Sequence, residues 1–189
     1  SPRRKQILER LGIPFGIIVP NVDESQFQYG NSPEGYAQDL AELKCGYVSV
    51  QYPNSLVIGS DTIVILGNRI LEKPSDMQDA KSMLKMLSGN THTVISAVNF
   101  KCDTKNINHT FNEQTQVTFR KIPDEYVTTY INSSSPYDKA GSYGIQGWSA
   151  IFVEKINGCY DNVVGFPLSR FVFELGKFGM GLVTSSISI

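Results

Sequence analysis

The sequence predicts an α/β domain in which a mixed sheet is flanked by helices, and three observations carry that expectation. An apolar run, Leu56 to Leu66, is followed by a Gly67-Asn68 turn and a return segment, Arg69 to Leu71, which together read as a β-hairpin. Two long strand-like segments, Thr91 to Lys101 and Thr110 to Phe119, flank a polar, turn-like stretch, Cys102 to Asn108, and so predict an antiparallel pair. The remaining segments have helical periodicity and cap residues but do not alternate strictly with the strands, which disfavours a doubly wound dinucleotide-binding fold. Gly144-Ile145-Gln146-Gly147 follows no obvious strand and lacks the third glycine of the nicotinamide fingerprint.

Each element has a local reason. Ser1-Pro2-Arg3-Arg4 starts a helix, with serine as cap and proline in the first turn, running through Ile7, Leu8 and Leu11 to Gly12. Phe15 to Val19 is expected as a buried strand. Ser32-Pro33-Glu34 opens a second helix with Tyr36, Leu40, Leu43 and Tyr47 as its apolar face, Lys44 beside that face, and an end before Pro53. Asp76 caps a third, with Met77, Ala80, Leu84 and Leu87 inward and Gly89 as its stop. Pro123 begins a short helix bearing Tyr126, Val127, Tyr130 and Ile131, and Ser133 to Pro136 ends it. Ile151 to Ile156 and Tyr160 to Val164 are expected as strands around Asn157-Gly158. Pro167 opens the last helix, with Leu168, Phe171, Val172, Leu175 and Phe178 as its buried face, and positions 180–189 read as a tail.

With 189 residues, 41% of them hydrophobic, and a formal net charge of -1, the chain fits one soluble domain over 1–189, with room for two lobes around a cleft. The near-neutral charge disfavours a nucleic-acid polymer as partner. Cys45, Cys102 and Cys159 are odd in number and lack CxxC spacing, so a reducing cytoplasm is expected rather than a disulfide framework or zinc site. No apolar run reaches the ~18 residues of a membrane span, and no signal peptide is visible.

Asp61 is the most informative residue, because it drops one carboxylate between the apolar runs Leu56 to Ile58 and Ile63 to Leu66. A carboxylate in such a strand needs a hydrogen bond, a cation or a metal. The hairpin can bring Lys73 to the same end of the sheet. Asp23 and Glu24 follow an apolar stretch in the way that ligand-site residues follow a strand end, although acidic pairs in loops are commonly just solvated. Arg3 and Arg4 beside Ser1 at a helix N-terminus form a natural phosphate cradle, or simply a capped surface helix. Lys44 and Lys73 are point-charge partners for phosphate, each weak evidence alone. Gln146 carries both a donor and an acceptor with which to read a base edge, or is an ordinary loop residue.

Taken together, SPRRKQIL from Ser1, VDE ending at Glu24, Lys44, SDTIVILGNRILEKPSD from Ser60, LSGNTHTV from Leu87, DKAGSYGIQG from Asp138 and NVVGFPL from Asn162 resemble the Maf nucleotide pyrophosphatases of the inosine-triphosphatase-like superfamily. The stretches keep the family's order over nearly the whole chain. The DKAGxYGIQG form is similar to the branch that hydrolyses dTTP and UTP. Ser60 departs from a common alanine and Ser149 from a frequent glycine. Family members also carry a short apolar strand before the Ser-Pro-Arg-Arg turn, so a first strand is expected to be missing here.

The resemblance implies a mixed, strongly twisted sheet with a cleft between two lobes, a divalent cation (Mg²⁺ or Mn²⁺), and homodimers as a frequent assembly. It implies catalytic roles for Asp61, the proton acceptor, and for Lys73, Glu24 and Lys44. Substrate binding falls to Ser1, Arg3, Arg4, Thr62 and Gln146, and metal binding to Asp61 and Glu24, while Asp76 lies within a motif without an assigned role. The expected reaction converts dTTP or UTP to the monophosphate and pyrophosphate, as housekeeping of the nucleotide pool. Two other readings stay open: a nucleotide-binding division regulator without turnover, and a pyrophosphatase for non-canonical purine triphosphates.

Overall fold

A computed structural model describes residues 1–27, 32–133 and 136–180. The hairpin signal is realised as β1 (Val57–Leu66) and β2 (Arg69–Leu71), with Gly67 supplying the positive φ that the tight turn needs. The long pair forms β3 (Thr91–Cys102) and β4 (Ile107–Phe119), and β5 (Val153–Asn157) adds to β4. Strand order is β2-β1-β3-β4-β5. All pairings among the described residues are antiparallel, where a mixture of strand directions was expected. Short turns impose this on β1–β2 and on β3–β4, whereas β1–β3 and β4–β5 are joined through intervening helices.

Helix α2 (Pro33–Ser49), capped by Ser32 as expected, covers one face of the sheet. Its inward side is Ala37, Ala41, Cys45 and Val48 with Leu40, while Tyr47 is exposed; the expected Tyr36-Leu43-Tyr47 stripe is therefore rotated towards the edge. Small residues win because the helix must approach β1 closely. A methyl on Gly59 would lie 2.6 Å from the Cys45 nitrogen and would also strike the Ala41 carbonyl oxygen. Ile63, Ile65, Ile95 and Ala97 of β1 and β3 complete this layer with Ala37 and Ala41.

The opposite face carries two separate cores. One gathers Val64, Val94, Val117 and Phe119 of the sheet under α3 (Met77–Leu87) and α4 (Asp124–Ile131). Asp76 caps α3 through the Asp79 N–H, and Met77, expected inward, is exposed. The other core gathers Val98, Phe100 and Phe111 under α1 (Pro2–Glu9), α5 (Tyr160–Val164) and α6 (Leu168–Gly176). An Arg10 to Asp161 ion pair at 2.7 Å ties α1 to α5.

Three sequence expectations are corrected. Tyr160 to Val164 is a helix, not a strand, because Asn162 points its amide into the sheet instead of joining a ladder. That amide donates to the Val94 carbonyl and to Thr115 Oγ1 and accepts from the Ser96 N–H. Phe15 to Val19 has no strand partner among the described residues, and Phe15, Ile17, Ile18 and Val19 are exposed. An apolar run becomes a buried strand only where a ladder accepts it. Phe178 lies beyond α6 and is half exposed, whereas the buried polar residue of that helix is Glu174, held by Lys177, His109 and Arg170. The expected stop at Ser134 and Ser135 and the tail beyond residue 180 lie outside the described residues.

The Gly59 contact yields a test. Gly59→Ala should destabilise the fold by about 1–3 kcal/mol through overpacking of α2 on β1. It should appear as a lower urea midpoint with an unchanged slope.

Candidate active site

Thr62 on β1 and Ser96 on β3 are register partners, and their hydroxyls lie 2.9 Å apart. They interrupt the sheet face between the two apolar cores, so the floor between the lobes is polar. A cleft of about 570 Å³ opens there, a size that fits a nucleotide-sized ligand. It touches Asp61, Thr62, Ile63 and Val64 in succession. Successive strand residues face opposite sides of a sheet, so one cavity can reach all four only by wrapping round the strand's edge. That edge is open because β2 pairs only with Val64 to Leu66.

On the α2 side of the edge, Lys44 Nζ sits 2.7 Å from Asp61 Oδ1 and 2.9 Å from Glu24 Oε2. Both charged ends of the Lys44–Asp61 pair are largely withdrawn from solvent, with side-chain exposures of 17% and 15%, so this contact is screened less than a surface pair. Glu24 opens a short 3-10 turn whose cap is Asp23; Asp23 spends its carboxylate on Ser25 and Gln26 and is not a cleft residue. Tyr36 donates to Glu72 Oε1 at 2.9 Å, and burial, aided by that acceptor, pushes its phenol up to about 12.

On the other side, Arg4 donates from Nε to the Gly165 carbonyl and from Nη2 to Thr62 Oγ1, each at 2.9 Å. Ser96 in turn donates to the Asn162 carbonyl at 3.0 Å. Burial draws the Arg4 guanidinium below its ordinary pKa, and the field of Asp61 opposes this. Arginine nonetheless stays cationic. Ser1 caps α1 at the cleft, and Arg3 reaches from the same turn to Asp138, with Nη1 to Oδ2 at 2.9 Å and Nη2 to the carbonyl at 3.3 Å. Burial alone would raise the Asp138 carboxyl, but hydrogen bonds from Lys139 and Arg3 outweigh it and hold it below the usual range. Lys73 lines the cleft from the segment after β2 and is exposed.

Of the residues predicted from sequence, the cleft thus gathers Ser1, Arg3, Arg4, Glu24, Lys44, Asp61, Thr62 and Lys73. Gln146 is not among them. It occupies the exposed tip of the Gly144–Gly147 turn, because its neighbour Ile145 is buried in the second core and successive residues of the turn diverge. Asp76 is committed to capping α3. The residues that sequence alone did not single out are Tyr36, Glu72 and Tyr143, which also line the cleft. Tyr143 sits in the DKAGSYGIQG stretch, so the motif was the available signal.

Asp61 and Glu24 converge on one point, held by the Lys44 ammonium, and no cluster of three or more His, Cys, Asp or Glu suited to a metal occurs among the described residues. Two carboxylates suit a Mg²⁺-type ion, which takes one or two protein carboxylates and completes its shell with water and phosphate oxygens.

A cleft at an open sheet edge, with cations on both of its walls and a carboxylate between them, defines a class of protein that handles small polyanions. Comparison with known proteins is specific. The family model for Maf-like proteins matches residues 1–178, and the chain belongs to this family. It is 45% identical over 181 residues to a dTTP/UTP pyrophosphatase of Bacillus cytotoxicus, covering 96% of this chain and 93% of the relative. It is 46% identical over 180 residues to one of Bacillus anthracis and 47% identical over 180 residues to one of Bacillus cereus, each covering 95% of this chain and 93% of the relative. No helix among the described residues is long and apolar enough to cross a membrane.

The Arg4 anchorage generates a prediction. Thr62→Val keeps the shape but removes the acceptor of a charge-assisted hydrogen bond, so KM for the substrate should rise by roughly 10-fold or more, while Thr62→Ser stays near the parent. An unchanged KM in Thr62→Val would show that Arg4 needs no such support.

Proposed function

We propose that this chain hydrolyses dTTP and UTP to the monophosphate and pyrophosphate. The observation that carries the reading is the convergence of Asp61, Lys44, Arg4 and Lys73 on one cleft, in a member of a family whose similar relatives bear that activity in their names.

In this mechanism the triphosphate lies along the open edge of β1. Arg4, fixed by Gly165 and Thr62, presents an oriented guanidinium whose position costs nothing further on binding. Arg3 and Lys73 flank the phosphates from α1 and from the segment after β2. Negative charge grows on the leaving pyrophosphate, and these cations stabilise it in a site partly closed to water. Asp61 receives the proton of the water that attacks the α-phosphorus. Its Oδ1 is engaged by Lys44, which orients the carboxylate, and Oδ2 has no hydrogen-bond partner among the described residues. Lys44 also links Asp61 to Glu24, so one ammonium sets the spacing of both carboxylates. Asp61 and Glu24 would hold Mg²⁺ or Mn²⁺, which supplies charge neutralisation at the phosphates when bound.

Product analysis and kinetics test this. The parent should release pyrophosphate, not orthophosphate, from UTP and dTTP well ahead of ATP and GTP. Chelation by EDTA should abolish turnover, with recovery on adding Mg²⁺ or Mn²⁺. Asp61→Asn, nearly the same in volume but without the charge, should lose at least ~100-fold in kcat while unfolding at a similar temperature. Turnover within a few-fold of the parent in that variant would remove Asp61 from the proton transfer. Lys73→Ala should weaken binding of UTP analogues more than of UMP, because a monophosphate lacks the groups Lys73 faces.

A further inference from the structure

The cleft has a second character that the phosphate chemistry does not use. Beside its charged residues, it is also lined by Val64, Val94 and Tyr143, all members of the core under α3 and α4. With the phosphates on the cations, this apolar surface is the part of the cleft left for the base. On the premise that the substrate is dTTP or UTP, we propose that Tyr143, held in place by the buried His92, is the end wall of the base site and sets the size of base admitted. His92 is then a positioning residue.

The ring of Tyr143 is fixed from three directions. Its hydroxyl meets His92 Nε2 at 2.7 Å. Its ring packs edge-on to Phe119 at 4.7 Å and to His92 at 5.3 Å. His92 stands on β3, 2% exposed, and its Nδ1 has no partner among the described residues. Burial lowers the His92 pKa to about 4, so at neutral pH the pair is an uncharged imidazole against an uncharged phenol. In either tautomer the one hydrogen bond His92 makes goes to Tyr143, and no other described group competes for it. A buried histidine with a single partner on a cleft wall is placed to orient that wall.

The backbone behind the ring is equally constrained. Ser149 Oγ accepts from the Gly144 N–H at 3.1 Å and donates to the Gly144 carbonyl at 2.9 Å, which gives a clamping role to the serine standing in place of the family's frequent glycine. Gly141 has φ +67°, and a side chain there would meet Val64 Cγ1 at 3.0 Å. Ser142, a non-glycine residue at φ +63°, is held in that left-handed conformation with its hydroxyl 3.2 Å from Met83 Sδ. Such conformations persist only where the surroundings over-determine them. The wall is thus unable to retreat to accommodate a larger base. This assigns discrimination to shape at Tyr143, whereas the amide of Gln146 lies outside the cleft.

The test is steady-state kinetics of the full chain with UTP, dTTP, ATP and GTP, for the parent and for Tyr143→Leu, Tyr143→Phe, His92→Phe and His92→Gln. Tyr143→Leu should raise the purine-to-pyrimidine ratio of kcat/KM by ~10-fold or more, chiefly through a lower KM for the purines. Tyr143→Phe and His92→Phe, which delete only the hydrogen bond, should move the ratio in the same direction by a few-fold. His92→Gln, which restores a polar atom near the Nε2 position, should return it towards the parent. Binding of non-hydrolysable α,β-imido UTP and ATP gives the same ratio independently of how much of each preparation is active. A ratio unchanged in Tyr143→Leu and Tyr143→Phe, with all four substrates reduced in proportion, overturns the proposal. If the parent itself releases no pyrophosphate from any of the four, the functional reading fails instead, a result distinct from failure of the wall.

Discussion

The hydroxyl pair of Thr62 and Ser96 is the constraint on which the rest of the architecture rests. An uninterrupted apolar sheet face would support one continuous core and bury its centre. Two register partners with hydroxyls cannot be covered by hydrocarbon without loss, since each unmet buried polar group costs about 1–3 kcal/mol. The chain satisfies them with Arg4, the Gly165 carbonyl and the Asn162 carbonyl, and in doing so splits the face into a lobe under α3 and α4 and a lobe under α1, α5 and α6. The cleft is the seam between two cores, and its deepest cation is one of the groups that make the seam tolerable.

The brevity of β2 is the second determinant. A return strand as long as β1 would cover the edge of β1 and leave its two faces as separate surfaces. Because pairing stops at Val64, the edge beyond it gives one ligand access to groups on opposite sides of the sheet. Asp61 with Lys44 and Glu24 belongs to the α2 side, and Thr62 with Arg4 to the two-lobed side. A carboxylate and the hydroxyl that holds a guanidinium, facing away from each other on neighbouring residues of a strand, thereby serve the same cavity.

Much of this was legible in the sequence wherever the signal was local. The Gly67-Asn68 turn, the caps at Ser1, Ser32 and Asp76 and the β3-β4 pair are dictated by neighbouring residues, and they are found as expected. Asp61 was legible because a charge inside an apolar run has few explanations. What failed depended on contacts distant in sequence. Five residues from Tyr160 to Val164 are too few for periodicity to separate strand from helix, and the deciding contact, Asn162 on β3 and β4, spans much of the chain. The inward side of α2 turned on the absent side chain of Gly59, not on the hydrophobicity of Tyr36 or Tyr47. Gln146, singled out by its chemistry and by the family resemblance, does not line the cleft. Its direction was set by Ile145, whose burial the loop's composition does not announce.

Lys44 carries a consequence for the thermodynamics of the whole molecule. Two carboxylates brought to a common point repel each other, and many ion-binding proteins leave that repulsion to be relieved by the ion, so that folding and ion supply are linked. Here the chain provides its own counterion, at 2.7 Å and 2.9 Å from the two carboxylates. The folded state therefore offsets that repulsion with a side chain of its own. A cation placed between the same carboxylates would meet an ammonium group already there, so its affinity would be a difference between two like charges.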